Sequence, residues 1–230
     1  YTVTVTDDNG CSSSSSMNIT VNALPVPVTM TDSEICNGDN ITLTSGGGTS
    51  YAWSTGGTGV SIVVAPVVNT VYVVTVTDAN TCKKTDNVAI VVNALPSTSI
   101  ISAGAVCEST DLALNGNPSG GTPGYIHAWT GAGAASLGGD IAIQSPTFNN
   151  ATAGTYALNY TVQDTKGCED TDNLTITVTA PPTADAGAST EICLGGSTTI
   201  GGTPTGTGGS GALTYAWDNS SGTLNNATIS

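Results

Sequence analysis

The sequence predicts an all-β protein made of tandem immunoglobulin-like β-sandwiches with one disulfide per repeat. Residues 1–11 alternate apolar and polar side chains for six positions, and this stretch returns at 72–82 and, more loosely, at 158–168. Alternation with a period of two is typical of a half-buried strand. A stretch that recurs along the chain is typical of a repeat protein, because each repeat is one structural unit.

The six cysteines follow the same repeat. Three times along the chain a cysteine is followed 25 positions later by another, and a proline stands 11 positions before the second one. The cysteines are Cys11 and Cys36, Cys82 and Cys107, and Cys168 and Cys193, and the prolines are Pro25, Pro96 and Pro182. Repeat boundaries at these prolines give a C-terminal hairpin of a truncated repeat (1–24), a complete repeat (25–95), a complete repeat with longer loops (96–181) and the N-terminal part of a further repeat (182–230).

The recurring stretch predicts the last hairpin of each repeat. Its alternating strand runs into Asp and Asn residues, which favour a tight turn. A second alternating strand follows directly, and its apolar positions are Met17, Ile19 and Val21, then Val88, Ile90 and Val92, then Leu174, Ile176 and Val178. In the first hairpin we expect Tyr1, Val3 and Val5 to face a core.

Shorter strands precede the hairpin in each complete repeat. In the first complete repeat they are expected at 41–44, 51–53 and 61–64, separated by glycine-rich turns. Six or seven short strands with a turn after about every ten residues are the pattern of an immunoglobulin-like sandwich. The second complete repeat has its additional residues in loops at 115–124 and 131–140, and the last repeat is expected to contain a strand at 198–200.

The charge balance excludes some partners. The chain has 230 residues, a formal net charge of −14, no arginine, and only three basic residues, Lys83, Lys84 and Lys166. Nucleic-acid binding needs a basic face that replaces phosphate counterions, so we expect no nucleic acid and no anionic membrane surface as a partner. No segment approaches the roughly 20 apolar residues of a membrane-spanning helix, so we expect no membrane insertion.

Regularly placed cysteines indicate an oxidising, extracellular compartment. Within each complete repeat we predict the disulfides Cys36–Cys82 and Cys107–Cys168, and closing the loop between Cys36 and Cys82 would contribute roughly 4 kcal/mol by the chain-entropy model. Cys193 and Cys11 are expected to have partners in adjoining repeats or chains. Zinc is the weaker interpretation, because no Cys-x-x-Cys occurs and His127 is the only histidine.

Two motifs carry a resemblance to a known family. Tyr-x-Val-x-Val-Thr-Asp-x-Asn-x-Cys occurs at 1–11 and 72–82, and Tyr-x-Trp occurs at 51–53 and 215–217. The chain resembles the PKD-like and immunoglobulin-like repeats of long bacterial cell-surface adhesins, above all gliding-motility adhesins exported by type IX secretion. This resemblance implies a stalk or adhesive fibre on the cell surface. The copy at 158–168 departs from the motif, and we expect the tyrosines near it to fill the core.

The aromatic residues of these motifs are predicted to form the core of each repeat. They are Tyr51, Trp53, Trp129, Tyr215 and Trp217, together with Tyr1 and Tyr72 of the hairpin strands. The alternative is that the tryptophans are platforms on which sugars stack. His127 takes the tyrosine position of the Tyr-x-Trp motif, so a structural role is favoured over a general base. With no cluster of His and carboxylate residues, no catalytic residue is assigned and the chain is predicted not to be an enzyme.

Calcium is the one cofactor that the sequence brings into consideration, and no site for it is assigned. Acidic residues gather around the hairpin turns, and oxygen ligands suit calcium. The residues are Asp7, Asp8, Asp78, Asp86, Asp164, Glu169, Asp170 and Asp172. The alternative is that Asp is simply a good turn former.

The predicted function is a structural or adhesive stalk whose partners are neighbouring repeats, identical chains end to end, or surface glycans. Two alternatives remain open. One is a head-to-tail extracellular filament formed by strand complementation between chains. The other is a set of carbohydrate-binding or spacer modules of a secreted enzyme.

Overall fold

The computed structural model describes residues 1–203 and 205–217. The chain divides into two compact units, Tyr1–Ala94 and Leu95–Ser230. Each unit contains one sandwich.

The first unit begins with a hairpin of β1 (Thr2–Thr6) and β2 (Ser12–Ser16). Met17 lies opposite Tyr1, because the backbone amide of Met17 and the amino group of Tyr1 donate to each other's carbonyl at 2.9 Å. Met17 is therefore in the expected register. Ile19 and Val21 lie outside β2.

Tyr1, which was expected to face a core, does not pack in one among the described residues. Its side chain is 85% exposed, and Val3 and Val5 are also exposed. Within the described residues β1 and β2 pair only with each other. Their apolar face therefore has no second sheet over it, as a two-stranded ribbon alone cannot bury a face.

The first sandwich consists of a four-stranded sheet and a two-stranded sheet. The larger sheet has the order β3-β8-β7-β5, and the smaller one pairs β4 with β6. The strands are β3 (Ser33–Cys36), β4 (Ile41–Thr44), β5 (Ser50–Trp53), β6 (Ser61–Val64), β7 (Thr70–Thr77) and β8 (Lys83–Asn93). Strand β3 runs parallel to β8, whereas the other pairs are antiparallel.

The core of the first sandwich lies between these two sheets. Along β7 the side chains alternate, so that Tyr72, Val74 and Val76 are buried while Val71 and Val73 are exposed. The other buried hydrophobic residues are Leu43, Trp53, Val64, Val88 and Ile90. Each fully buried side chain of this size stabilises the fold by roughly 1.5–3 kcal/mol.

The second sandwich has the same plan. Its larger sheet has the order β10-β16-β15-β13, its smaller sheet pairs β11 with β14, and β9 pairs with β12. The strands are β9 (Pro96–Ser97), β10 (Ala105–Cys107), β11 (Leu112–Ala113), β12 (Ser119–Gly120), β13 (Ile126–Thr130), β14 (Thr147–Phe148), β15 (Gly154–Gln163) and β16 (Glu169–Thr179). Strand β10 is parallel to β16.

Two loops of the second sandwich have more structure than the sequence suggested. The loop expected at 131–140 contains a 3-10 helix, Ala134–Leu137, which buries Leu137 in the core. The loop at 115–124 supplies β12. The core is filled around Leu158 and Tyr160, both 0% exposed, and its other members are Leu114, Trp129, Phe148, Val162, Ile176 and Val178.

The described residues that follow β16 contain one short two-stranded ribbon. Strand β17 (Pro182–Ala184) pairs with β18 (Gly206–Gly208). The strand predicted at 198–200 is not formed, and 215–217 also lie outside any strand. In the described part of this segment, no larger sheet is present for such a strand to join.

The prediction of an all-β chain of tandem immunoglobulin-like sandwiches is confirmed. In both sandwiches a short strand joins the edge of the larger sheet beside the last strand, as the registers of β3 with β8 and β10 with β16 show. Among residues 1–203 and 205–217, no helix is long and apolar enough to cross a membrane.

Candidate functional site

The turn between the two hairpin strands has the same hydrogen bonds in all three copies. We call it the cysteine turn: residues 7–11, 78–82 and 164–168. The backbone amide of its aspartate donates to the carbonyl of its cysteine at 2.9, 3.0 and 2.9 Å. The aspartate Oδ1 accepts the cysteine amide at 2.9, 2.9 and 3.0 Å. The carboxylate therefore fixes where the cysteine lies.

The residue before the cysteine has a left-handed backbone in every copy. Gly10 has φ 83°, Thr81 has φ 65° and Gly167 has φ 82°. Glycine adopts this conformation without steric cost, whereas a β-branched residue is strained there. Thr81 therefore introduces backbone strain into the second copy.

Asp164 is the most buried of the three turn aspartates, at 2% exposed. Its Oδ2 accepts the amide of Thr122 at 2.8 Å, in addition to the bonds at Oδ1. Desolvation raises the pKa of Asp164, but hydrogen bonds from the amides of Thr122, Cys168 and Lys166 outweigh it and hold the pKa below its ordinary value.

Other acidic residues hold the first segment of each sandwich against the last strand. In the second sandwich, Asp170 accepts the amide of Thr98 and Asp172 accepts that of Ile100, both at 2.8 Å. In the first, the Thr29 hydroxyl donates to Asp86 at 2.6 Å, and this hydrogen bond lowers the pKa of Asp86.

This use of the carboxylates accounts for the acidic pattern that brought calcium into consideration. Within the described ranges, no group of three or more His, Cys, Asp or Glu side chains is placed to hold a metal ion. For the three turn aspartates the sequence signal is their position two residues before an amide that they accept, which is Asx-turn chemistry.

The tryptophans of both complete repeats lie inside the sandwiches. Trp53 is 4% and Trp129 is 1% exposed. Each indole Nε1 donates at 2.9 Å to a backbone carbonyl, that of Gly59 and that of Ile143 respectively. Tyr72 is buried, and Tyr51, Tyr215 and Trp217 are half-buried.

His127 occupies the place of Tyr51 in the second sandwich. Its Nδ1 lies 2.7 Å from the hydroxyl oxygen of Tyr160, and the two rings stack with their centroids 6.0 Å apart. Burial lowers the pKa of His127 and raises the pKa of Tyr160 to about 12. Both groups are therefore neutral at neutral pH, as a buried aromatic pair favours.

The disulfides predicted within each repeat are wrong. Cys82 and Cys107 carry free thiols, as do Cys11 and Cys193, whereas Cys36 and Cys168 are in the disulfide form. Cys36 lies opposite Asn93 at the end of β8, and Cys82 precedes the start of the same strand. Eleven strand residues separate the two ends by roughly 35 Å. A disulfide needs Cα atoms within about 7 Å, so the two cysteines cannot bond in one sheet.

The second sandwich gives the same result. Cys107 lies opposite Thr179 at the end of β16, and Cys168 precedes the start of that strand. The spacing of these cysteines is visible in the sequence, but the direction of the paired strands is not. Because β10 runs parallel to β16, Cys107 and Cys168 lie at opposite ends of the same strand.

Among known proteins, the chain is similar in fold to several solved structures. No family model matches the chain, and no curated protein matches it. The solved structures similar to it include the N-terminal eight immunoglobulin domains of Down Syndrome Cell Adhesion Molecule, with 14% identity over 79% of this chain and 27% of that one, at a TM-score of 0.46. The present chain thus spans about a quarter of that fragment's length.

Two further solved structures are similar over most of the chain. A fragment of three immunoglobulin domains from titin has 13% identity over 70% of this chain and 68% of that one, with a TM-score of 0.35. The fibronectin(III)-like modules of Clostridium thermocellum CbhA have 10% identity over 67% of this chain and 95% of that one, with a TM-score of 0.35.

Proposed function

We propose that this chain is a segment of an extracellular stalk of a large secreted bacterial cell-surface protein, in which the repeats form an extended structural and adhesive rod. The Tyr-x-Val-x-Val-Thr-Asp-x-Asn-x-Cys motif and the cysteine content support this location. Two residues separate Asn93 from Pro96, and a proline restricts both itself and its predecessor, which supports a junction of limited freedom.

The parallel pairing of β3 with β8, and of β10 with β16, carries the structural part of this proposal. Strand β3 pairs with β8 from Ser33 opposite Ile90 to Cys36 opposite Asn93. The chain enters β3 at one end of this ladder and leaves β8 at the other. Tension along the chain therefore slides the two strands past each other and loads all of their hydrogen bonds at once. This arrangement suits a segment that transmits force.

Single-molecule force spectroscopy tests this step. The full chain, with its disulfide reduced, is pulled from its two termini and, as a control, from attachment points at residues 69 and 93. Reduction is needed because Cys36 is the last residue of β3, and a disulfide there would carry the tension past the ladder. The Asn69 side chain accepts the amide of Val92, so the control points lie at the same end of the sheet. Pulling there peels β7 from β8 one hydrogen bond at a time. We expect higher unfolding forces from the termini, and equal forces would contradict the load-bearing role.

The location has a separate test. Antibodies raised against the folded chain should label intact cells of the source organism, with permeabilised cells as the comparison. Labelling that appears only after permeabilisation would contradict a cell-surface stalk.

The carbohydrate-binding alternative loses two of the three tryptophans on which it depended. Trp53 and Trp129 are buried, and their indole nitrogens donate to backbone carbonyls. A sugar cannot stack on a ring that lies between two sheets. A glycan array probed with the full chain should therefore show no binding that depends on these residues.

The exposed hairpin supports end-to-end partners. Tyr1, Val3, Val5 and Met17 present an apolar face that is more than half exposed. In the proposed stalk this face packs against the body of its own repeat by covalent continuation of the array, and strand donation between identical chains is the alternative. Light scattering of the purified chain distinguishes them, because donation between chains gives oligomers whose size depends on concentration.

A further inference from the structure

We propose that strand β6 of the first sandwich pairs edge to edge with β6 of a second copy of this chain, so that two chains associate side by side. The two strands run antiparallel about a two-fold axis, and Val63 of one copy lies directly opposite Val63 of the other. The proposal goes beyond the stalk function, which concerns repeats joined end to end, and does not depend on it.

The first observation is that β6 has an open edge. Among the described residues it pairs only with β4. The amide of Ser45 donates to the Val60 carbonyl at 2.9 Å, so the backbone groups of Val60 are directed toward the Ser45 side of the sheet. Because these directions alternate along an antiparallel strand, those of Ser61 and Val63 are directed away from β4. In the described part of the chain no backbone group bonds to Ser61 or Val63 on that outer side, so another strand can pair there.

The second sandwich covers the corresponding edge of its smaller sheet. The counterpart of β6 is β14, and Asn149 directly follows it. The amide of Asn149 donates to the Ser136 carbonyl at 2.9 Å, and Ser136 belongs to the 3-10 helix Ala134–Leu137 in the connection before β14. The connection before β6, residues 54–60, is shorter and forms no helix. The edge is therefore covered in the second sandwich and open in the first.

The side chains and charges near this edge favour a second copy as the partner. No charged residue occurs between Asp39 and Asp78, although the chain has a formal net charge of −14. Two copies repel each other through their acidic residues, so they approach with least repulsion through this uncharged stretch. Four valines in or near β6 in the sequence are more than half exposed: Val60, Val63, Val67 and Val68. Each copy thus supplies the same free backbone groups and apolar side chains, as a two-fold interface requires.

The outward direction of Val63 defines the register of the pair. The amide and carbonyl of Val63 exchange two hydrogen bonds with Val63 of the second copy, which places the two Cα atoms about 5.5 Å apart. The Val63 side chain is 66% exposed, whereas Val64 beside it is buried, so the two Val63 side chains contact each other on the outer face. Because the interface uses the same edge of both copies, association stops at a dimer. A four-residue strand gives a small interface, so the dimer forms only at high concentration.

Analytical ultracentrifugation of the full chain tests the proposal, with the free thiols blocked so that no disulfide links two copies. We expect the mass to rise from monomer to dimer as the concentration rises. Val63→Lys places two like charges directly opposite each other and should abolish the dimer. The matched variant Val71→Lys replaces an exposed valine of β7 and makes the same change in net charge. It should dimerise like the wild type.

A charge-swap mixture shows that the loss of the dimer does not come from misfolding. Val63→Lys and Val63→Glu should each remain monomeric, and their equimolar mixture should regain a dimer, because opposite charges then lie across the axis. A wild type that stays monomeric, a Val63→Lys variant that dimerises, a Val71→Lys variant that does not, or a mixture that stays monomeric would each overturn the proposal.

Hydrogen exchange of the wild-type sequence gives an answer that needs no variant to fold. The amide of Val63 should be protected only at concentrations at which the dimer forms. The amide of Ile62, which is directed toward Leu43 of β4, should be protected at every concentration. Equal exchange of the Val63 amide at low and high concentration would overturn the proposal. None of these results bears on surface labelling or unfolding force, so this inference and the proposed function fail separately.

Discussion

Nδ1 of His127 lies 2.7 Å from the hydroxyl oxygen of Tyr160 in the second sandwich. The equivalent position of the first sandwich holds Tyr51, whose hydroxyl donates to the Gly48 carbonyl at 2.9 Å instead. Because burial raises the pKa of Tyr160 to about 12, its hydroxyl keeps its proton. A protonated His127 would have to donate to that same hydroxyl from a desolvated ring, which disfavours the charged form.

The first prediction is that low pH destabilises the second sandwich through His127. Burial lowers the folded-state pKa of His127 below its ordinary value of 6.5, so the unfolded chain binds the proton more readily. The stabilisation is complete above pH 6.5 and is lost as the pH falls toward the lowered value. Hydrogen exchange of the second sandwich at about pH 7.5 and about pH 5 measures the change.

The chain supplies its own control for this prediction. His127 is the only histidine, and the first sandwich should keep its stability over the same pH range. His127→Gln should remove the pH dependence of the second sandwich. An unchanged pH dependence in that variant would assign the effect to other groups.

The second prediction concerns the packing of Tyr160 against Gly116. An added Cβ at Gly116 would overlap the ring of Tyr160, which is 0% exposed and packs on Trp129 with the ring centroids 4.6 Å apart. Gly116→Ala should therefore destabilise the second sandwich by roughly 1–3 kcal/mol through overpacking. In the first sandwich the residue at the position of Tyr160 is Val74, since Val74 pairs with Trp53 as Tyr160 pairs with Trp129.

A double-mutant cycle gives the matched control. In the Tyr160→Val background, which copies the first sandwich, Gly116→Ala should cost much less. Additive free energies of unfolding in the cycle would show that Gly116 and Tyr160 are not coupled.

The residue of the first sandwich that corresponds to Gly116 is Ser45, whose Oγ is buried without a hydrogen-bond partner among the described residues. Ser45→Ala should therefore stabilise the first sandwich by roughly 1 kcal/mol in urea unfolding.

The third prediction is that Thr81→Gly stabilises the first sandwich. Thr81 has φ 65°, which costs a β-branched residue about 1–2 kcal/mol, and part of this gain is offset by the entropy of glycine in the unfolded chain. The expected net gain is roughly 0.5–1 kcal/mol in urea unfolding. Gly167→Thr is the reverse change in the second sandwich, at a site with open space around an added Cβ. It should destabilise that sandwich, and no loss there would remove backbone strain as the explanation.

The strands could be predicted from the sequence because the alternation of apolar and polar residues matches the alternation of buried and exposed side chains in the structure. Strands β4 and β6 have the predicted bounds, and Tyr72, Val74 and Val76 alternate as expected. Burial was predicted less well from the sequence where it depends on residues that are distant along the chain. Tyr1 has the same motif as Tyr72, but Tyr72 lies under a second sheet and Tyr1 does not.

The cysteines illustrate the same limit for the candidate site. Their spacing shows that they repeat, but the choice of partner depends on which end of the sheet each one occupies. Cys36 pairs with Asn93 through a parallel ladder, and a four-residue strand such as β3 carries no local signal for parallel or antiparallel pairing. The role of the turn aspartates was also hidden, since the same residues suit calcium and backbone amides.

The last prediction separates the buried cysteine turn from the more exposed one. Asp164→Ala removes acceptors for the amides of Thr122, Lys166 and Cys168 at a position that is 2% exposed. A buried amide left without a partner costs about 1–3 kcal/mol, so the second sandwich should lose about 3 kcal/mol or more. Asp78→Ala removes the bonds to the amides of Asn80 and Cys82.

Water can replace the lost acceptor at the half-buried Asp78, so the first sandwich should lose only about 1 kcal/mol. The effect of Asp164→Ala should also depend on pH. Because the folded-state pKa of Asp164 lies below 3.8, its stabilisation is present above that pH and is lost as the pH falls through the folded value. The difference between wild type and Asp164→Ala, measured by urea unfolding, should therefore shrink in strong acid. Equal losses for the two variants at neutral pH would contradict the assignment, because the two turns share their hydrogen bonds to the cysteine and differ in burial and in the Thr122 bond.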